Sequence, residues 1–189
     1  MPQIEGVEVL DVMLLGQPKA VAAGLIRGTG GLAVVDPGPT SSLEGLSRGL
    51  AAHGVAVADL DALLITHVHL DHAGGVGALV RENSKLAVYV HERGARHLAD
   101  PSRLVESATR IYGEHMDTLW GEVAPVPEAN LRRLAGGERI DVAGRAVDAL
   151  YTPGHASHHV SYFETASGVL FAGDSGGVRA GDCDYLLPP

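Results

Sequence analysis

Hydrophobic residues in the first third of the chain fall in short runs bounded by Gly, Pro or Asp, which is a pattern typical of short strands. Three such runs occupy residues 7–12, 21–26 and 32–35. After a turn at residues 36–39, leucines at three- and four-residue spacing predict a helix that begins at Thr40 or Ser41 and ends at His53. Residues 60–65 are apolar except for one Asp and predict a strand that is buried on both faces. Helix and strand therefore alternate, as in an α/β fold.

The rest of the chain continues this alternation and then becomes rich in strands. Helices are predicted at residues 74–81, 91–99 and 102–120, and the last of these is the longest. A strand is predicted at residues 86–90, and Pro125 and Pro127 indicate a loop over residues 121–130. Four further strands are predicted at residues 139–142, 146–151, 159–163 and 169–172. The pattern as a whole predicts a mixed sheet with helices, in two β-rich halves.

Length and composition limit the number of domains, the need for disulfides and the kinds of binding partner. Its 189 residues suffice for one domain whose core needs no disulfide, and the single Cys183 cannot form an internal one. With 14 basic and 23 acidic residues the net charge is −9. Because nucleic-acid binding usually needs a broad basic surface, this charge argues against nucleic acid as a partner. We therefore expect residues 1–189 to form a single domain that acts on a small molecule.

The N-terminal residues carry charge of the wrong sign for a secretory signal. Residues 1–15 include Glu5, Glu8 and Asp11 but no Lys or Arg. No stretch of the chain approaches the roughly 18 uninterrupted apolar residues of a membrane span. We therefore expect a cytoplasmic protein without a membrane partner.

Six of the ten histidines fall in two short stretches, which an even distribution would rarely produce. The stretches are His67-Val68-His69-Leu70-Asp71-His72 and His155-Ala156-Ser157-His158-His159. The first follows the predicted buried strand directly, at the carboxyl end where open α/β sheets tend to bind ligands. Imidazole nitrogens and a carboxylate at this spacing are donors that Zn²⁺ accepts. The two stretches therefore predict a metal site for one or two ions.

At these residues the sequence resembles the metallo-β-lactamase superfamily. Residues 67–72 match its HxHxDH signature, and three further segments resemble its other landmarks in the correct order. These are Asp36-Pro37-Gly38 for the early turn, Thr152-Pro153-Gly154-His155 for the second histidine motif and Phe171-Ala172-Gly173-Asp174 for the bridging aspartate. The resemblance runs from about Val21 to Asp174 and implies an αββα sandwich of two mixed β-sheets flanked by helices.

The resemblance also implies a role for each matching residue. The metal ligands would be His67, His69 and His155 for a first zinc, Asp71 and His72 for a second, and Asp174 as a bridge between the two. Water bound to such a zinc has a pKa near ~7, and Asp71 is the candidate catalytic residue that orients this water or accepts its proton. The implied reaction is the attack of a metal-bound hydroxide on an ester, thioester, lactone or amide carbonyl.

The other histidines are not expected to bind metal. His159 is interpreted as a residue that supports a ligand. Surface or helix-capping roles are expected for His53, His91, His97 and His115.

One feature of the family is missing from this sequence. The family has a final histidine on a later strand, and no histidine follows His159 here. We therefore expect the domain to be C-terminally incomplete, with an uncovered sheet face that favours a homodimer. The alternative to a zinc hydrolase is a catalytically impaired metal-binding or scaffold domain.

The subfamily stays open from the sequence alone. The flavodiiron relatives resemble HxExDH, whereas His69 here favours zinc over iron or manganese. We expect a glyoxalase II relative to continue into a helical domain with basic residues for glutathione, a secreted β-lactamase to begin with a signal peptide, and a tRNA-processing relative to carry a basic exosite. None of these features is recognised in the sequence, and hydrolysis of a lactone, a thioester or another ester remains open.

Overall fold

A six-stranded sheet forms the larger half of the structure. The computed structural model describes residues 4–179 and 186–187. The strands are β1 Val7–Asp11, β2 Ala22–Gly28, β3 Gly31–Val35, β4 Ala62–Leu64, β5 Ala87–His91 and β6 Leu131–Leu134. They are neighbours in chain order. The first three pair antiparallel, whereas β4, β5 and β6 each run parallel to the strand before, because helical segments cross between them.

A four-stranded sheet packs against the first. Its strands are β7 Arg139–Val142, β8 Arg145–Tyr151, β9 Val160–Glu164 and β10 Val169–Phe171. They lie in the order β10-β9-β8-β7, and every neighbouring pair is antiparallel. Mixed pairing is therefore confined to the first sheet, and the second, which was predicted as mixed, is antiparallel because its connections are too short for a crossover. A short ribbon pairs β11 Val178–Arg179 with β12 Leu186–Leu187.

Six α-helices lie between the strands in the described ranges. They are α1 Leu43–Ala52, α2 Leu70–Ala73, α3 Val76–Glu82, α4 Glu92–Ala99, α5 Ser102–Tyr112 and α6 Met116–Leu119. The prediction of one helix over residues 102–120 is wrong, because Gly113 has a φ of +55° that an α-helix does not allow, and a 3-10 turn, Gly113–His115, separates α5 from α6. No helix in the described part of the chain is both long enough and apolar enough to cross a membrane.

Apolar layers cover both faces of the six-stranded sheet. On one face, Leu63 packs with the helical Leu46 and Leu50. On the other face, Leu64 packs with Tyr162 of the second sheet. Because successive strand residues point to opposite faces, β4 contributes to both layers, which confirms the prediction of a strand buried on both sides. The predicted α/β fold, with two sheets flanked by helices, is confirmed.

Strand β6 is one of the elements that sequence analysis missed. Leu131 and Leu134 at its ends are buried, but Arg132 and Arg133 between them are exposed. Two consecutive arginines break the period-two alternation by which a strand is recognised. Pairing with β5 at the edge of the sheet holds these residues in an extended conformation.

Candidate metal centre

The two histidine stretches meet where loops of both sheets converge. His67 and His69 lie in the loop between β4 and α2, and His155 lies in the loop between β8 and β9. Asp174 lies in a 3-10 turn, Gly173–Gly176, directly after β10. The loop after β4 leaves the carboxyl end of a parallel strand, which is the position at which α/β sheets bind ligands.

Three histidines form a first group of potential ligands. One ring nitrogen from each of His67, His69 and His155 lies within 4.8 Å of the other two. Nδ1 of His69 and Nε2 of His155 are only 2.8 Å apart. Nε2 of the fully buried His67 has no hydrogen-bond partner among the residues that the structure describes. Since buried polar atoms normally have a partner, this nitrogen is suited to a ligand that is not part of the chain.

His67 also belongs to a second group, with His72 and Asp174. Ligand atoms of these three residues again lie within 4.8 Å of one another. Nε2 of His72 is 3.0 Å from Oδ1 of Asp174. The other carboxylate oxygen, Oδ2, is 3.4 Å from Nε2 of His155 and 3.9 Å from Nε2 of His67. Asp174 therefore lies between the two groups, with one oxygen directed to each.

Asp71 lies beside the second group rather than inside it. Its Oδ2 is 3.5 Å from Nε2 of His72, and its side chain is more than a third exposed. Asp71 and His72 are consecutive residues of the single-turn helix α2, which begins immediately after His69. The proposed ligand and catalytic roles of Asp71 stay predictions, and its exposure leaves a carboxylate oxygen accessible from solvent.

Burial keeps the imidazoles of His67 and His69 neutral. Burial, followed by the neighbouring rings of His72 and His69, lowers the pKa of His67 far below its usual value. Burial and then His155 also lower the pKa of His69. The hydrogen bond from His72 lowers the pKa of Asp174, so this carboxylate is charged at neutral pH. Neutral imidazole and ionised carboxylate are the forms that bind a metal.

A buried hydrogen-bond network holds His72 from the side opposite Asp174. Oδ2 of Asp36 lies 2.9 Å from Nδ1 of His72 and accepts a hydrogen bond of 2.6 Å from the Thr66 hydroxyl. Oδ1 of Asp36 accepts from the Thr66 backbone N–H at 2.8 Å. Burial opposes protonation of His72, but Asp36 and Asp174 outweigh it and raise the pKa of His72 to about 11, so a metal ion that binds Nε2 of His72 must displace a proton from this ring.

Asp36 is the site residue whose role sequence reasoning missed. It was identified only as part of a turn, yet it is buried and has a φ of +48°, a conformation that is uncommon outside glycine. Backbone strain of this kind is concentrated at functional sites. An acidic residue directly before Pro37 and Gly38 was the available signal, but its contact with His72 spans 36 positions of the sequence.

The donor set of the two groups fits a divalent metal ion. The first group offers three ring nitrogens, and the second offers two ring nitrogens and a carboxylate. Both are ligand sets that suit zinc and other transition metals. The nitrogen of His67 without a partner is the observation that decides the fit, because hydrogen bonds within the chain leave it unsatisfied. Nδ1 of His67 contacts the Thr66 hydroxyl, and Nδ1 of His72 contacts the Asp36 carboxylate. These contacts match the hydrogen-bond partners that orient metal-binding histidines in proteins.

The other histidines lie outside both groups. His159 is buried, and its Nδ1 is 2.8 Å from the Thr152 hydroxyl, beside the site. His91 caps α4 by accepting a hydrogen bond of 3.1 Å from the backbone N–H of Arg93. His115 is exposed. Cys183, which was expected to take no part in the chemistry, lies outside the described residues.

A family model for the metallo-beta-lactamase superfamily matches residues 16–188. A hydroxyacylglutathione hydrolase of Aeromonas salmonicida is 33% identical over 163 residues, which cover 86% of this chain and 48% of the relative. The metallo-beta-lactamase fold-containing protein ST1585 of Sulfurisphaera tokodaii is 31% identical over 121 residues, which cover 62% of this chain and 45% of that protein. The chain thus spans about half the length of these curated relatives.

Solved structures show the same architecture. A metallo-beta-lactamase family protein of Thermus thermophilus matches 97% of this chain and 62% of its own, with a TM-score of 0.73 and 28% identity. BJP-1, a subclass B3 metallo-beta-lactamase of Bradyrhizobium japonicum, matches 98% of this chain and 67% of its own, with a TM-score of 0.68 and 21% identity. The second likeness concerns the fold alone.

Proposed function

The chain belongs to the metallo-β-lactamase superfamily, and from this membership we propose that it is a zinc-dependent hydrolase that cleaves an acyl bond of a small molecule. The observation that carries the proposal is the pair of ligand groups that share His67, with Asp174 between them. A domain with a purely structural role has no need of two groups of metal-ligand atoms that meet at one carboxylate.

The two ligand groups share His67, and in this proposal His67 is a ligand of the first zinc. His67, His69 and His155 hold one zinc, while His72 and Asp71 hold a second and Asp174 contributes an oxygen to both. A zinc ion held there supplies Lewis acidity toward the substrate carbonyl and toward water. The histidine at position 69, where the flavodiiron pattern has Glu, supports zinc over iron.

Asp71 is the residue we propose for proton transfer. Its carboxylate is partly exposed and lies next to His72, so it can accept a proton from an attacking water on the open side of the site. Asp36 contributes indirectly, because its hydrogen bond to Nδ1 of His72 directs Nε2 of the same ring toward Asp174.

The substrate class is inferred from the relatives and the chemistry together. Several curated relatives are hydroxyacylglutathione hydrolases, a name that describes hydrolysis of a hydroxyacylglutathione. We extend to this chain only the bond type: an ester, thioester, lactone or amide carbonyl in a small molecule. The match covers 48%, 44% and 47% of three of these relatives.

The test measures metal content and hydrolysis on the same sample. Purified chain is expected to bind zinc and to hydrolyse at least one member of a panel of aryl esters, thioesters and lactones. Chelation should abolish the activity, and added Zn²⁺ should restore it. A chain that is loaded with zinc but hydrolyses no member of the panel would instead support the scaffold alternative.

A further inference from the structure

A basic cavity opens beside the candidate metal centre. Its volume is about 820 Å³, and its charged lining consists of Arg93, Arg96, Arg133 and Glu92. In a chain that has 14 basic and 23 acidic residues, three arginines and one Glu are a local reversal of the overall charge. Such a concave basic surface favours an anionic ligand.

Two of these arginines have no acidic partner. Arg133 is ion-paired, since its Nη2 lies 2.6 Å from Oε2 of Glu128. Arg93 donates a hydrogen bond of 2.9 Å to the Tyr151 hydroxyl, and Nε of Arg96 donates one of 3.2 Å to Nε2 of His97. Within the described ranges, neither Arg93 nor Arg96 has a carboxylate at ion-pairing distance. Like charges three residues apart on one helix face are unfavourable, so α4 carries this pair at some cost to its own stability.

The cavity adjoins the metal centre at His158. This residue lines the cavity, and its ring centroid is 6.1 Å from that of His69 and 6.5 Å from that of His97. Gly94 allows α4 to approach closely, because a Cβ there would lie 3.0 Å from Cγ1 of Val68 and 3.4 Å from Cβ of His158. The helix that carries the two arginines therefore packs directly on the histidine loops.

We propose that Arg93 and Arg96 bind an anionic group, a carboxylate or a phosphate, of the molecule whose acyl bond is cleaved at the metal centre. This inference rests on the proposed function, because it assigns the part of the substrate that lies beyond the reacting carbonyl. Guanidinium groups stay charged throughout the physiological pH range and match the oxygens of carboxylates and phosphates with paired N–H donors. The preferred substrates are therefore anionic acyl compounds, and neutral esters are poorer ones.

The experiment compares three esters that share the same acyl linkage and leaving group. The first ends in a carboxylate, the second in a phosphate and the third in a neutral amide, and kcat/KM is measured on the zinc-loaded full chain. Arg96→Gln is expected to lower kcat/KM for an anionic ester about tenfold, mainly through KM, and the double variant with Arg93→Gln about a hundredfold, the scale of lost charged hydrogen bonds. Hydrolysis of the neutral ester should be unchanged. The carboxylate and phosphate substrates identify which anion the cavity accepts.

Arg48→Gln is the matched control, since Arg48 is an exposed residue of α1 that does not line the cavity and its loss changes the net charge equally. Equal rates for anionic and neutral esters, or an equal loss in the Arg48→Gln variant, would overturn the inference while the hydrolase function stands.

If no ester is hydrolysed, the proposed function fails. Calorimetric titration of acetate and of methyl phosphate into the chain, after its metal has been removed with a chelator, still decides the inference. Saturable binding that the double variant loses supports the anion site, and absence of binding overturns it. Circular dichroism spectra and thermal melting curves of all variants must match those of the wild type, so that differences in kcat/KM do not come from misfolding.

Discussion

The candidate metal centre and the ion pair of Arg145 with Glu164 are both buried clusters of ionisable side chains, but they satisfy their polar atoms differently. At the metal centre, ring nitrogens of His69 and His155 lie 2.8 Å apart, and Nε2 of His67 has no partner in the described structure. The atoms of this cluster converge on one another without completing a hydrogen-bond network.

The carboxylate of Glu164, by contrast, is satisfied by the chain itself. It is fully buried, and its Oε2 accepts from Nη2 of Arg145 at 2.8 Å. The backbone N–H groups of Ala166 and Ser167 donate to its two oxygens at 3.0 and 2.8 Å. Its partners lie within the same antiparallel sheet and the hairpin that follows β9.

The difference separates a structural cluster from a ligand-binding one. Where the chain supplies the partners of a buried carboxylate, as it does for Glu164, removal of one residue should affect folding and leave the chemistry intact. Where the chain supplies only ligand atoms, removal should affect metal content and activity first. Zinc content and activity should therefore respond to changes at the metal centre, and folding stability to changes at Glu164.

The largest effect is expected from His67→Ala, because His67 is shared by both ligand groups. Zinc content should fall well below one ion per chain, and hydrolysis should fall to the rate of buffer alone. His115→Ala, which changes an exposed histidine, should leave both quantities unchanged. Elemental analysis and an ester assay on the same samples provide the measurement, and a His67→Ala protein with full zinc would refute the shared-ligand arrangement.

Asp71→Ala should separate proton transfer from metal binding. Turnover is expected to fall by a factor of about 10²–10⁴, the usual scale for a positioned proton acceptor, while the first group keeps its zinc. Asp117→Ala, on the exposed surface of α6, is the control. Turnover and metal content are measured together. Full activity with both groups occupied would mean that Asp71 is assigned wrongly, and with it the HxHxDH interpretation.

Glu164→Ala should destabilise the fold without affecting the chemistry. It leaves the partly buried Arg145 guanidinium without its carboxylate, which costs about 3 kcal/mol, or roughly a hundredfold in the folding equilibrium. Glu106→Ala removes an exposed partner of Arg110 and should cost less than about 1 kcal/mol. Urea unfolding measures both values. A change in kcat of the folded Glu164→Ala enzyme would contradict a purely structural role.

The acid stability of the protein should depend on the same carboxylate. Burial opposes ionisation of Glu164, but hydrogen bonds from Arg145 and Ser167 outweigh it and lower the pKa from 4.5 to about 2. The stabilisation is therefore fully present above pH 4.5 and is lost as the pH falls through 2. The difference in unfolding free energy between the wild type and Glu164→Ala should shrink across this range. A difference that stays constant with pH would exclude the linkage.

Asp36→Asn should have the smallest of these effects, and it acts on the metal centre through its contact with Nδ1 of His72. The substitution keeps the size of the side chain but weakens the contact with Nδ1 of His72, and loss of such an outer partner typically costs about 10–100-fold in metal affinity. Competition with a chromophoric chelator should show this weakening for the second zinc and not for the first. Equal weakening of both would place the role of Asp36 in the fold as a whole.

Much of the fold was predictable because its signals are local. The apolar run that ends at Ile65 and the leucines of α1 carry their periodicity within a few residues, and both elements appear in the structure. Gly113 ends α5 through a backbone conformation that periodicity does not report, and the arginines of β6 conceal a strand that only pairing with β5 reveals. The prediction of one long helix failed at a local backbone conformation, and β6 was missed because its strand conformation depends on a partner that is distant in sequence.

At the metal centre, too, the features with a local sequence signal were predicted and those that depend on packing were not. Closely spaced histidines on one loop pointed to the metal centre, and the structure brings His155 and Asp174 to them from the second sheet. The contact of Asp36 with His72 and the basic cavity on α4 depend on how separate loops pack. Spacing along the chain therefore predicts which residues can bind a metal, but not which residues orient them or what else the substrate meets.

The most direct test of the metal centre is the position of the ion itself. Crystals of the zinc-loaded chain, measured on both sides of the zinc absorption edge, should show an anomalous peak about 2.0–2.1 Å from ring nitrogens of His67, His69 and His155. A second, weaker peak is expected between His72 and Asp174. The absence of anomalous density at the three histidines, with zinc bound elsewhere on the chain, would contradict the account.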